Sequence, residues 1–73
     1  MLNKRLNLIL SNGLCVLNAK LRKDGGVATL FITDFSTNTR VLFDIEGKRI
    51  LANRDDIEFT PKDVENLIAA LAK

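Results

Sequence analysis

Val27-Ala28-Thr29-Leu30-Phe31-Ile32-Thr33-Asp34-Phe35 places Ala28, Leu30 and Ile32 on even positions and Thr29, Phe31 and Thr33 on odd ones. Successive side chains of a strand point to opposite sheet faces, so this stretch predicts a strand with one apolar face and one mixed face. Turn signals flank it. Lys23-Asp24-Gly25-Gly26 precedes it and Ser36-Thr37-Asn38 follows. Ser11-Asn12-Gly13 and Glu46-Gly47 repeat the punctuation at spacings of about ten residues, and Asn-Gly and Asp-Gly favour tight hairpins because both central residues tolerate positive φ.

Between these turns lie strand candidates at 5–10, 14–22, 27–35, 39–45 and 48–52. A hairpin meander is the economical connection. After residue 60 the period changes from two to 3.6: Val64, Leu67, Ile68 and Leu71 follow at i, i+3, i+4 and i+7. Thr60 is placed as N-cap, Pro61 suits the first helical position, and Asp63 gives a capping-box-like spacing. The expected fold is α+β, a single domain over residues 1–73. A five-stranded antiparallel meander, strongly curved, carries one C-terminal α-helix, about 61–72, packed on its apolar face.

With Asn12-Gly13, Asp24-Gly25, Thr37-Asn38 and Glu46-Gly47 as loops, parity assigns every strand residue to a face. The apolar face takes Leu6, Leu8, Leu10, Cys15, Leu17, Ala19, Leu21, Ala28, Leu30, Ile32, Val41, Phe43, Ile45, Ile50 and Ala52. Lys4, Asp34 and Lys48 intrude only at strand ends. The second face takes Leu14, Val16, Leu42 and Leu51 together with Arg5, Lys20, Arg22, Arg40 and Arg49 against the single acid Asp44. It also takes Phe31 and Phe35. Asp44 falls opposite Arg49, a cross-strand charge pair.

That second face suggests a ligand. Arginine and lysine attract a phosphate backbone, and exposed phenylalanines offer stacking platforms for bases. The expectation is a small non-catalytic module binding single-stranded DNA or RNA, with Arg5, Lys20, Arg22, Arg40 and Arg49 on phosphates and Phe31 and Phe35 stacking. Asn7, Asn18, Thr29 and Thr33 stand by as hydrogen-bonding groups. The alternative is a protein partner on the same face, as for an adaptor, inhibitor or assembly subunit of the phage or mobile-element kind, because the apolar stripe among the cations is larger than scattered exposed residues require.

Catalysis finds little to work with. Histidine is absent, which removes the usual base near neutral pH. Cys15 is the only cysteine, assigned to the apolar face, where a thiol behaves as a small hydrophobe. Ser11 and Ser36 sit in turns where serine is expected. Asp55, Asp56, Glu58 and Asp63 cluster before and in the first helical turn, where the macrodipole favours acids without any metal. No cofactor is implied.

The net charge of +2 is polarised: residues 1–40 hold six basic and two acidic residues, the remainder five and seven. A lone cysteine fits a reducing, cytoplasmic compartment. No stretch approaches the roughly 18 apolar residues of a membrane span, and Asn7 and Asn12 interrupt the short apolar run that follows Lys4-Arg5. A chain of this length buries only about 60% of its unfolded surface. A 12-residue helix, about 18 Å long and 10 Å wide, is also narrower than five strands spanning about 24 Å. Strong sheet curvature or a homodimer is therefore expected.

The segment Ile57-Glu58-Phe59-Thr60-Pro61-Lys62-Asp63-Val64-Glu65-Asn66-Leu67-Ile68-Ala69-Ala70-Leu71 resembles the final strand, cap and helix of the transcriptional positive-cofactor family. The resemblance implies a curved antiparallel sheet with a C-terminal helix, dimerisation and single-stranded DNA binding. It covers about a fifth of the chain, which has no tryptophan where that family has several. The fold expectation therefore rests on the alternation and not on this likeness.

Overall fold

The computed structural model describes residues 2–23, 25–34 and 37–73. Strands β1 (Leu2–Ile9), β2 (Cys15–Leu21), β3 (Val27–Asp34), β4 (Thr37–Asp44) and β5 (Arg49–Ala52) precede one helix, α1 (Pro61–Ala72). They form one antiparallel sheet in the order β1-β2-β3-β4-β5. The sheet is curled but not closed, and its concave side holds the helix. Curvature thus lets one narrow helix serve a five-stranded sheet. No helix among the described residues is long and apolar enough to cross a membrane.

The core follows the alternation of the central strands. Ala28, Leu30 and Ile32 of β3 and Val41 and Phe43 of β4 are buried with Ala19, Val16 and Leu10, and Leu67 and Leu71 of α1 close over them. Each large aliphatic side chain removed from water contributes roughly 1.5–3 kcal/mol.

The helix start follows the capping-box pattern. Thr60 accepts from Asp63 N at 3.1 Å, and Asp63 Oδ2 accepts from Thr60 N at 3.1 Å. Asp63 is itself buried, and its Oδ1 accepts from both Ser11 N and Ser11 Oγ at 2.9 Å. At the other end α1 has no basic residue in its last turn, but Lys4 Nζ reaches from β1 to donate to Leu71 O at 2.9 Å. The cation that intruded on the apolar face therefore satisfies an orphan helix carbonyl and complements the dipole.

The strand pairing departs from the simple parity scheme at the β1–β2 corner. Leu10 N donates to Leu14 O, and Gly13 N to Leu10 O, so the loop is three residues, Ser11-Asn12-Gly13, and not the two-residue Asn12-Gly13. Gly13 holds φ +91°, the left-handed residue that ends such a loop. An odd loop slips the pairing by one, setting Leu8 opposite Val16. Val16 accordingly lies in the core at 0% exposure, and Leu17 is 40% exposed on the outer face. Cys15 likewise faces outward, half-buried and paired with Ile9 and Thr33.

Two irregularities absorb the slip. Leu17 is an extra residue in β2 between the pairs Val16–Ile32 and Asn18–Phe31. β1 shifts between Arg5 and Leu8 with Asn7 at φ +51°. Beyond them the expected faces resume, although the β1–β2 pairing is displaced by two residues, Arg5 standing opposite Asn18 and not Lys20.

Four further expectations are corrected. Thr37 and Asn38 pair with Asp34 and Thr33 as part of β4 and do not form a loop; the strand faces survive because the register moves by an even step. Leu51 is an extra residue in β5, which turns Ala52 onto the outer face opposite Leu42. Leu14 packs against the core cluster. Ile57-Glu58-Phe59, the final strand of the family likeness, is not a strand in this chain. It is pinned instead by Asn53, whose amide exchanges two hydrogen bonds with the backbone of Ile57.

The Asp44–Arg49 pair forms as expected, 3.5 Å apart across the β4–β5 turn. Asp44 Oδ1 also accepts from Gly47 N, and a Cβ at Gly47 would displace the Asp44 carboxylate from this position.

Candidate functional site

Register converts sequence positions into rows across the outer face. Arg5 is opposite Asn18, Asn18 opposite Phe31, and Phe31 opposite Arg40, so four strands contribute one residue each to a single row. The neighbouring row runs Asn3, Lys20, Thr29, Leu42 and Ala52. Phe31 stands at the centre, half-buried. Lys20 Nζ lies 5.7 Å and Arg40 Cζ 5.4 Å from its ring centroid. These are cation–π distances, each pair contributing roughly 0.5–1 kcal/mol at an exposed site.

Of the residues expected on this face, the structure gathers Arg5, Lys20, Phe31 and Arg40. It separates Arg22 and Arg49. Arg22 follows β2, its N–H donating to Val27 O, and Arg49 pairs with Asp44 opposite Val27. Val27 is four residues from Phe31 along β3, roughly 13 Å at strand rise. Arg49 is moreover neutralised by Asp44. Phe35 lies outside the described residues. By contrast, Arg5, Lys20 and Arg40 are exposed and have no carboxylate within ion-pair distance among the described residues.

The outer face carries shallow depressions along the row. A central depression of about 410 Å³ is lined by Leu17, Asn18, Phe31, Ile32, Asn38, Thr39 and Arg40. A second, lined by Asn3, Lys4, Arg5, Asn7, Leu17 and Asn18, shares Leu17 and Asn18 with it. A third continues from Asn38, Thr39 and Arg40 to Leu42, Ala52, Arg54 and Asp55. Together they form an open trough crossing the strands.

Leu17, Asn38 and Arg54 are trough residues that parity did not bring to the site. Leu17 is turned out by the bulge, and Asn38 lies in a sequence context, Ser36-Thr37-Asn38, that favours a turn. The helix-proximal acids do not join the trough as a cluster. Asp63 is committed to Ser11 and Thr60, and Asp55 Oδ2 accepts from Thr39 Oγ1. Burial pushes the Asp63 carboxyl up, but the hydrogen bonds from Thr60 and Ser11 outweigh it and hold the group below its ordinary value.

No family model, no curated protein and no solved structure matches this chain.

Proposed function

We propose that this chain is a small non-catalytic module that binds single-stranded nucleic acid along the outer-face trough. One observation carries the reading: Lys20 and Arg40 lie over the Phe31 ring and Arg5 stands two strands away in the same row as Phe31, none of the three cations ion-paired among the described residues. Phosphates following the trough would meet Arg5 at one end and Arg40 at the other, with Phe31 between them as a stacking platform. An extended single strand can splay its bases onto such a surface, whereas a duplex cannot.

Fluorescence anisotropy with a labelled mixed-sequence oligonucleotide tests this. Binding should weaken on adding salt with a log–log slope of about −0.7 per phosphate contacted, hence about −2 for three cations. Arg40→Ala should flatten the slope by roughly one contact, and Phe31→Ala should weaken binding by about 1–3 kcal/mol. Arg49→Ala, already neutralised by Asp44, should change little. Absence of binding at low salt would end the proposal.

A protein partner on the same face is the second reading, favoured by the exposure of Leu17 in the trough and of Ile9 at 62% beside it. Its signature is loss of partner capture on Leu17→Lys with the salt slope for oligonucleotide absent. A homodimer, expected from the thin core, would use the edge of β1, where Leu2 is 63% exposed. Sedimentation equilibrium reads that state directly.

A further inference from the structure

We infer that the open edge of β4 takes an extended acidic segment of a partner protein as an added strand. The inference goes beyond the nucleic-acid reading and stands without it. It begins with the shortness of β5, which pairs with β4 only from Leu42 to Asp44 and leaves Thr37 to Val41 with no strand on their outer side among the described residues. An edge of this kind is a template for further pairing.

Pairing with β3 fixes which groups that edge presents. Ile45 N donates to Gly26 O at 3.0 Å, and hydrogen-bonded pairs alternate with open ones along an antiparallel ladder, so Phe43, Val41, Thr39 and Thr37 turn their N–H and C=O groups towards β3. Asp44, Leu42, Arg40 and Asn38 turn theirs outward. β5 sets Arg49 and Ala52 opposite the first two, but the outward groups of Asn38 and Arg40 bond to no described residue. These two donors and two acceptors repeat at about 7 Å, the two-residue repeat of a strand. An extended polypeptide matches all four, whereas phosphates only accept.

Space and charge favour an acidic guest. The edge opens into a depression of about 620 Å³ whose lining includes Asn38, Arg40, Ala52 and Arg54. Arg40 and Arg54 are exposed with no carboxylate within ion-pair distance among the described residues, and the Asp55 carboxylate beside them is hydrogen-bonded to Thr39 Oγ1. A carboxylate opposite Arg40 on the added strand would form a cross-strand pair. A second copy of this chain fits less well. Its own exposed edge strand, β1, is broken at Asn7 with φ +51° and would bring the cation Arg5 towards Arg40 and Arg54.

The test titrates the full, isotope-labelled chain with a capped octapeptide of alternating valine and glutamate, whose carboxylates all fall on one strand face. Amide exchange is the readout. The Asn38 and Arg40 amides should exchange fast in the free chain and about tenfold more slowly with peptide bound, while Thr39, already bonded to β3, stays slow throughout. Replacing every glutamate by lysine should abolish this protection. Asn38→Pro removes an outward N–H without taking a bond from the β3–β4 ladder, a place where an edge tolerates proline, and should weaken peptide affinity about tenfold, the loss of one main-chain hydrogen bond. Arg54→Glu, at an exposed position, should weaken it about fivefold. Peptide binding that leaves Asn38 and Arg40 unprotected would overturn strand addition, as would no binding at millimolar peptide, and equal binding of the lysine peptide would overturn the acidic guest. Protection of both amides by an oligonucleotide and not by the peptide would overturn a polypeptide as the occupant. Failure of the oligonucleotide to bind while the peptide protects both amides would instead remove the nucleic-acid proposal and leave the edge site standing.

Discussion

The β3–β4 hairpin keeps one register from Val27–Asp44 to Asp34–Thr37, whereas β1–β2 slips between Arg5 and Leu8 and β2 slips again against β3 at Leu17. The regular hairpin supplies Ala28, Leu30, Ile32, Val41 and Phe43 to the core. The irregular one supplies Leu17, Asn7 and Asn18 to the trough. Bulges bend a strand and increase its twist, so the same slips that break the ladder help curl the sheet around α1. Stability is concentrated where alternation is strict, and surface shape is made where it fails.

The sharpest way to break that contrast is to shorten one leucine in each region. Leu30→Ala empties a fully buried site in the regular hairpin and should cost about 3 kcal/mol. Total stability for 73 residues is expected near 4–11 kcal/mol, so the loss will be plain in urea midpoints. Leu17→Ala should stay within about 0.5 kcal/mol of the parent, as exposed substitutions do. Equal losses at the two positions would place Leu17 inside and remove the bulge.

The same contrast explains what could be read from residue order. In β3 and β4, polar and apolar residues alternate, so a one-residue slip would bury Thr29 or Arg40; parity therefore identifies the core and puts Phe31 and Arg40 on one face, while their pairing needs the true turn. The helix was equally plain, because Thr60, Pro61 and Asp63 carry their meaning locally. Leu14-Cys15-Val16-Leu17 is different: four consecutive apolar residues accept either register, and nothing local chooses between Val16 and Leu17. The choice comes from Asp63, distant in sequence, which binds Ser11 and holds the loop at three residues. Lys4, a misfit by parity, acquires its reason only from the far end of α1. Asn38 was hidden by its own statistics, a turn-former used in a strand. Arg5, Lys20 and Arg40 could be placed on one face, but their separation from Arg22 and Arg49 needed the pairing register.

Asp63→Asn tests that long-range control and should have the intermediate effect. Asparagine can still accept at one position but turns the other into a donor facing the Thr60 or Ser11 N–H groups, costing about 1–2 kcal/mol. Because the folded carboxyl titrates below its ordinary value of 3.8, its contribution is present above that value and is lost as pH falls through the lower folded value. Thermal melts from neutral to strongly acidic pH should show the parent's advantage over the variant shrinking towards the acid end. Hydrogen exchange at Leu10 and Gly13, whose amides close the loop, should accelerate in the variant, while amides of β3 keep their protection. An advantage that grew on acidification would reverse the sign of the shift and the role assigned to the carboxylate.

The smallest effect is expected at Asn7, where the irregular hairpin meets the trough. Its φ of +51° is left-handed, tolerated by asparagine and free for glycine, but unfavourable by roughly 1 kcal/mol or more for a β-branched residue. Asn7→Gly should therefore leave the urea midpoint nearly unchanged, and Asn7→Val should lower it by about 1 kcal/mol. At Thr29, on the regular strand, valine should be neutral or slightly stabilising because extended backbone favours branching. Opposite responses to the same new side chain, on two strands of one sheet, would locate the irregularity in the backbone and not in any lost contact of the asparagine. Stabilisation by valine at both positions would mean that β1 runs extended through residue 7, and the trough would lose the bend that now opens it beside Arg5.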